Sequence, residues 1–385
     1  MNDVSVPAAR VQARWRETRR VPEPVTPRAF VCRCGRPIFF PNSECLACGT
    51  ALGYDAERRL LLPLEPVSAS GPLWRQAGAP RTAPRYARCA NLATAAACNW
   101  LVADGDAHAG TPPLCRCCRL TRTLPDLSQD NAALWWNRIE VAKRRLVSSL
   151  IGLRLPVRSK VAEDPEHGLV FDLLRDQPGA RVTTGHADGV ITLNVEEADD
   201  AAREQRRTAL HEPYRTLLGH LRHECGHYYW QLLVEHTAWL EPFREAFGDE
   251  RQDYAAALAA HYANGAAADW GAAFVSAYAS SHPWEDWAET WAHYLHLADT
   301  LDTARSFGLD GGRVQLHYER FGTEVLGDQS DPDFLPWINS WMELTGVLNE
   351  LSRSMGVADF YPFVLSVAAV KKLYFVHRLV RGAKA

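Results

Sequence analysis

The sequence predicts an α+β protein: a small sheet plus a mostly α-helical body, preceded by a cysteine-rich region with little helical periodicity. Three observations predict it. Nine of the ten cysteines fall between Cys32 and Cys118, with Cys225 alone outside. Short strand-like runs are confined to residues 153–195, separated by Gly, Pro and Asp. From about residue 200 apolar positions recur at helical spacing, and strands followed by helices, not alternating with them, indicate α+β.

Taken in order, residues 1–28 are rich in Arg, Pro and Val and read as a disordered extension, with no apolar run that would make a secretory signal. Residues 29–125 form the cysteine-rich domain and residues 126–385 the α+β domain, the boundary lying near Pro125. Ser128 or Asp130 is placed to cap a helix whose apolar positions (Leu134, Trp135, Ile139, Val141, Ala142, Leu146) run to about Leu150. Strands are expected at LRLPV (153–157), GLVFDLL (168–174) and GVITLNV (189–195). One long helix is expected over about 203–237, with Pro213 as a break near its start. Others follow over 249–263 from an Asp249 cap, from Pro283 to about 300, over 335–352 and over 362–381.

A chain of 385 residues has room for two domains and a large core. A net charge of −4 argues against non-specific nucleic-acid binding by the molecule as a whole. The most apolar stretch, YPFVLSVAAVKKLYFV from Tyr361, is broken by Lys371 and Lys372, so no membrane span is expected. The reading is a cytoplasmic protein.

The cysteines sharpen it. Cys32-x-Cys34 and, ten residues on, Cys45-x-x-Cys48 give four thiolates in two close pairs, which suits a tetrahedral structural Zn²⁺. Cys89, Cys98, Cys115 and Cys118 form a second quartet, with Cys117 spare, either facing solvent or substituting for a neighbour. Interleaved pairing satisfies the same count. Close pairs clustered in one third of a long chain suit metal ligands in a reducing compartment, and the region reads as a zinc ribbon. Its arginines (Arg33, Arg36, Arg58, Arg59, Arg85, Arg88, Arg116, Arg119) and aromatics either contact a nucleic acid or protein partner, or solvate and fill a small metal-stapled domain. The second use is favoured.

In the predicted long helix the chain reads GHLRHECGHYYW. His223 and His227 lie one turn apart on one face, where two imidazoles can grip one Zn²⁺, with Glu224 beside them. Zinc lowers the pKa of a bound water from about 15.7 toward 7, and Glu224 is placed to take its proton as the water attacks a carbonyl. A strand, GVITLN, precedes the helix, and small Gly226 permits close approach of another segment. A catalytic zinc takes three protein ligands. A third histidine at 233 is excluded, because that position is Leu233, so a glutamate on a later helix is expected. HPWEDWAETWAHYLH supplies Glu285, Glu289 and His293 on one face, with Asp286 pointing elsewhere. His220 is placed to line the cleft, His211, His236, His261 and His296 read as surface or packing residues, and Cys225 as a core thiol facing away from the metal.

The E-x-x-A-E pattern of Glu285–Glu289 resembles the glutamate helix of gluzincin metallopeptidases. That resemblance implies Glu285 as third ligand and Glu289 as hydrogen-bond partner of a ligating histidine. It also implies Tyr278, seven residues before Glu285, as an oxyanion donor; His293 either plays a similar part or buttresses the helix. Over residues 30–380 the chain resembles a bacterial family of zinc-binding metallopeptidases with an N-terminal zinc ribbon. The matching stretches are ACNW, LCRCCRLTRTLPDL, TGHADGVITLNVEEADDAARE, EPYRTLLGHLRHECGHYYW, HPWEDWAETWAHYLH and RSMGVADFYPFVLS. Cys225 and Cys117 depart from that pattern. The resemblance implies a zincin-like metallopeptidase domain behind a zinc-ribbon domain, with one catalytic and two structural Zn²⁺. The expected substrate is a peptide or protein lying along GVITLN as an added strand. A catalytically silent binding protein, a protease acting on DNA-bound proteins and a zinc amidase are the competing expectations.

Overall fold

The computed structural model describes residues 26–106, 111–209, 216–314, 316, 318–327 and 331–383. The cysteine-rich region begins with a small hairpin, β1 (Phe30–Val31) and β2 (Pro37–Ile38). A five-stranded antiparallel sheet follows in chain order: β3 (Leu52–Asp55), β4 (Leu60–Pro66), β5 (Leu73–Gln76), β6 (Arg85–Arg88) and β7 (Leu101–Ala103). The Tyr54 amide donates to the Asn99 carbonyl at 2.9 Å, so the first strand curls back against the segment leading into the last.

A second sheet has the order β10-β11-β9-β8, from β8 (Thr121–Thr123), β9 (Val170–Leu174), β10 (Gly185–Ala187) and β11 (Val190–Asn194). β8 and β11 run parallel to β9, while β10 pairs antiparallel with β11. Asp188 and Gly189, both at positive φ (46° and 72°), close the β10–β11 hairpin with the backbone of a type I′ turn. β11 is paired on both sides, so the expectation of an added strand along GVITLN is corrected: β10 and β8 are the edges.

Eight α-helices form the body among the described residues: α1 (Ala132–Gly152), α2 (Asp200–Ala209), α3 (Leu217–Leu233), α4 (Leu240–Phe247), α5 (Tyr254–Asn264), α6 (Pro283–Ser306), α7 (Phe334–Ser354) and α8 (Val367–Gly382). Several boundaries differ from expectation for local reasons. Neither Ser128 nor Asp130 caps α1; Asn131 precedes it in the left-handed region, and the Ser128 hydroxyl is taken by Asp126 at 2.7 Å. LRLPV is not a strand, because Arg154 is left-handed (φ 61°) and Pro156 has no amide to pair. The long helix over 203–237 is two helices, the second capped by Thr216, whose hydroxyl accepts from the Gly219 amide at 3.0 Å. His211 and Pro213 lie outside the described residues. α5 starts at an Asp253 cap rather than at Asp249, whose carboxylate binds Arg251 at 2.8 Å.

One hydrophobic core runs through the cysteine-rich region and the helical body, with a small satellite of Leu62, Leu64, Tyr86 and Leu101. Thr26 and Arg28, assigned to the disordered extension, are buried against α6 through hydrogen bonds to Asp302 and Ser306, which corrects where that extension ends; residues 1–25 lie outside the described residues. Arg28 is 4 % exposed and binds Asp299 through Nη2 at 2.9 Å, and Asp299 also takes Arg145 and Arg222. A buried carboxylate needs such partners. Among the described residues no helix is long and apolar enough to cross a membrane.

Candidate active site

α3 and α6 cross at Gly226. A Cβ there would stand 3.0 Å from the Ala288 Cα and 3.2 Å from Trp291 Cβ, so only glycine admits this approach without a shift. The Trp287 indole donates to the Gly226 carbonyl at 2.8 Å and the Trp291 indole to Cys225 Sγ at 3.4 Å. Cys225 is thus a buried thiol on the side of α3 away from its histidines, as its position on the helix predicts.

The crossing brings His223, His227 and Glu285 together, all buried, with one ligand atom from each within 4.8 Å of the others. Glu285 Oε2 lies 3.0 Å from His223 Nε2, and Glu285 Oε1 lies 3.6 Å from His227 Nε2. Ligands about 2.0–2.2 Å from a tetrahedral zinc are about 3.3–3.6 Å apart, close to the separation of His223 Nε2 from Glu285 Oε2. Glu289 Oε1 receives His223 Nδ1 at 2.8 Å, and its Oε2 receives the Ser276 hydroxyl at 2.6 Å. Burial works against the Glu289 charge, but His223 holds the carboxyl down to about 2. With its proton on Nδ1, a neutral His223 presents an Nε2 lone pair to a Glu285 Oε2 that has no hydrogen-bond donor. A positive charge between them, proton or metal, is what makes that contact favourable. The donor set fits zinc.

Glu224 is 5 % exposed, and its Oε1 lies 3.2 Å from His220 Nε2. His220 Nδ1 binds Glu197, whose other oxygen takes the Thr184 hydroxyl at 2.7 Å. Burial opposes ionisation of Glu224, yet the hydrogen bond from His220 keeps its carboxyl below the usual range. Tyr278 stands over the site, its ring centroid 5.9 Å from that of His223. Trp284 packs on His227 with centroids 4.1 Å apart. His293 is buried with its Nδ1 2.5 Å from the Tyr361 hydroxyl and Phe363 against its ring; burial pushes its pKa down to about 4. Asp286 turns away, as its helical position predicts, and takes Lys372 at 2.5 Å. His296 packs against Arg222, and His261 lies beside Tyr278.

In the cysteine-rich region the sulfurs of Cys32, Cys34, Cys45 and Cys48 converge, as do those of Cys89, Cys98, Cys115 and Cys118. Sulfur pairs stand 3.7 Å (Cys32–Cys48), 3.8 Å (Cys34–Cys45) and 3.7 Å (Cys98–Cys115) apart. Four sulfurs about 2.3 Å from one zinc are about 3.8 Å apart. The pairing is sequential, not interleaved. Cys117 joins neither quartet and does not face solvent; it is fully buried near Lys143 of α1.

The family model described as "Putative zinc-binding metallo-peptidase" matches residues 132–379. The chain belongs to that family. A zinc-ribbon domain model matches residues 29–129 of this family member. Uncharacterized proteins of Mycobacterium bovis and of two Mycobacterium tuberculosis strains are 43 % identical to it over 355 residues, 92 % of this chain and 95 % of theirs. No solved structure matches it.

Residue patterns did not single out Glu197, Tyr254 or Ser276 as neighbours of the site. Each reaches it by tertiary folding from a separate segment, with no spacing relative to His223 or Glu285 to mark it. Trp284 carried a signal, being adjacent to Glu285 on a helix start.

Proposed function

We propose that this family member is a zinc-dependent peptidase of gluzincin type. The convergence of His223, His227 and Glu285, with Glu289 fixing the proton on His223 Nδ1, carries the reading. Zinc at these ligands supplies a Lewis acid for the scissile carbonyl and lowers the pKa of water there. Glu224 takes the proton of the attacking water and passes it to the leaving amine. Glu289 and Ser276 keep the His223 ring oriented. Tyr278 donates to the developing oxyanion; His293, engaged with Tyr361, buttresses α6. An extended substrate pairs with the outer edge of β10, a strand that packs against α3.

The two cysteine quartets hold structural zinc, and ten cysteines with no disulfide among them suit a reducing, cytoplasmic compartment. Of the arginines in the ribbon, Arg33, Arg58, Arg85, Arg88, Arg116 and Arg119 each bond to partners within the chain. That supports a metal-stapled structural region, with any docking directed to protein, over a nucleic-acid surface. A gel-shift titration of the full chain with duplex DNA should give no salt-sensitive complex.

Glu224→Gln tests the mechanism. It should retain all three zinc ions and lose cleavage of a peptide library by a factor of at least ~10³, consistent with removal of a general base. Wild-type cleavage by that variant would refute the role. Glu285→Ala should lose one zinc of three.

A further inference from the structure

Glu285 uses its two oxygens differently. Oε2 faces His223 Nε2 and has no hydrogen-bond donor, while Oε1 accepts the Tyr254 hydroxyl at 2.5 Å. Tyr254 is the first residue of α5, a helix with no buried residue of its own. Its position is set by contacts at α6's N-terminus. The Tyr254 ring lies edge-on to His282 and Trp284, with centroids 5.2 and 5.8 Å away. His282 caps α6 by accepting the Trp284 amide on Nδ1 at 3.1 Å, which leaves the Nε2 proton for the Gln252 carbonyl at 3.2 Å. The segment before α5 is thereby tied to the turn that presents Glu285. A tyrosine phenol is protonated at neutral pH, hence a donor.

We propose that Tyr254 is a positioning residue of the metal site: its hydroxyl holds Glu285 Oε1, so that Oε2 alone is offered to zinc and the carboxylate cannot rotate. The proposal rests on the zinc-peptidase reading above. A carboxylate free to swing samples orientations in which neither oxygen meets the imidazoles. Fixing one oxygen removes that freedom before the ion arrives, so the hydroxyl acts on metal affinity.

The test is zinc affinity in the full-length protein, by competition with a chromophoric chelator, for wild type, Tyr254→Phe, Tyr254→Ala and Glu285→Ala. The zinc missing from Glu285→Ala identifies the reporter ion. Tyr254→Phe keeps the ring against His282 and Trp284 and removes only the donor. It should release the reporter zinc at about 10–100-fold lower chelator concentration than wild type, with the ribbon zinc ions unchanged. Tyr254→Ala should be at least as weak. Wild-type affinity in Tyr254→Phe with a loss in Tyr254→Ala would show that ring packing, not the hydroxyl, is at work, and would overturn the proposal. So would wild-type affinity in both. An unchanged zinc count in Glu285→Ala would sink the metal centre itself, and the proposal with it. That failure is distinct, because no reporter ion would then exist.

Discussion

His220 sits one turn ahead of His223 and links Glu197 to Glu224. Burial opposes its charge, but Glu197 and then Glu224 raise its pKa to about 9, against an ordinary 6.5. A pKa raised on folding stabilises fully below the unfolded value and is lost as pH climbs through the folded one. Unfolding free energy should therefore decline between pH 6.5 and about 9 in wild type and stay flatter in His220→Gln, measured by urea denaturation at each pH. A second residue-scale case is Lys143, fully buried on α1, whose ammonium contacts Thr121 and Glu140 (2.6 Å to Glu140). Lys143→Met leaves Glu140 charged and unpaired in the core, at a cost of about 3–5 kcal/mol. Chemical denaturation reads it. Neither residue was legible in advance. Helical periodicity places His220 at the cleft, but its partner Glu197 comes from the turn after β11, and the burial of Lys143 depends on Thr121, which reaches it from a separate strand.

At the scale of elements, the α3–α6 crossing depends on Gly226. Gly226→Ala drives a methyl into the Ala288 backbone and Trp291, and overpacking of this kind costs about 1–3 kcal/mol. Because the crossing sets the distance from His223 to Glu285, the same substitution should weaken zinc binding although it touches no ligand. Thermal unfolding and chelator competition on one sample check both effects. Here the sequence was informative: a five-residue window with a glycine between two histidines marked both candidate ligands and the point of close approach. The later E-x-x-A-E stripe reads as a metal and hydrogen-bond face for the same reason, since helical spacing is local and regular. What local spacing could not reveal was strand position. GVITLNV is a strand, but whether it lies at an edge depends on β10, three residues long and carrying no apolar alternation. The Asp-Gly turn between them was its one available mark.

At the scale of the whole molecule, the cysteine-rich region and the helical body share more than a boundary. Tyr54 binds Ser148 at 2.9 Å, Arg144 donates to the Ala96 carbonyl at 3.0 Å, and β8 completes the sheet of β9, β11 and β10. A chain begun at residue 126 would lose β8, expose Phe171 and leave Glu140 and Lys143 half-solvated. It should be recovered aggregated or molten, judged by near-ultraviolet circular dichroism, whereas the full chain gives a sharp cooperative transition. Composition change marked where one region stops and the next starts. It could not show that a strand had crossed the line, because pairing is a long-range property.

The place of β8 also bears on how the protein is made. Ribosomes deliver the chain from its N-terminus, and early segments begin to fold first. The second cysteine quartet, closed at Cys118, emerges just ahead of β8 and well ahead of β9. A newborn chain that has gathered those thiolates holds β8 ready at a fixed end, a waiting edge onto which β9 and then β11 are laid in parallel. If zinc fills that quartet, as proposed above, its supply at that moment would govern whether the later strands find a template, and chains starved of it would stall before α3 and α6 have a sheet to rest on.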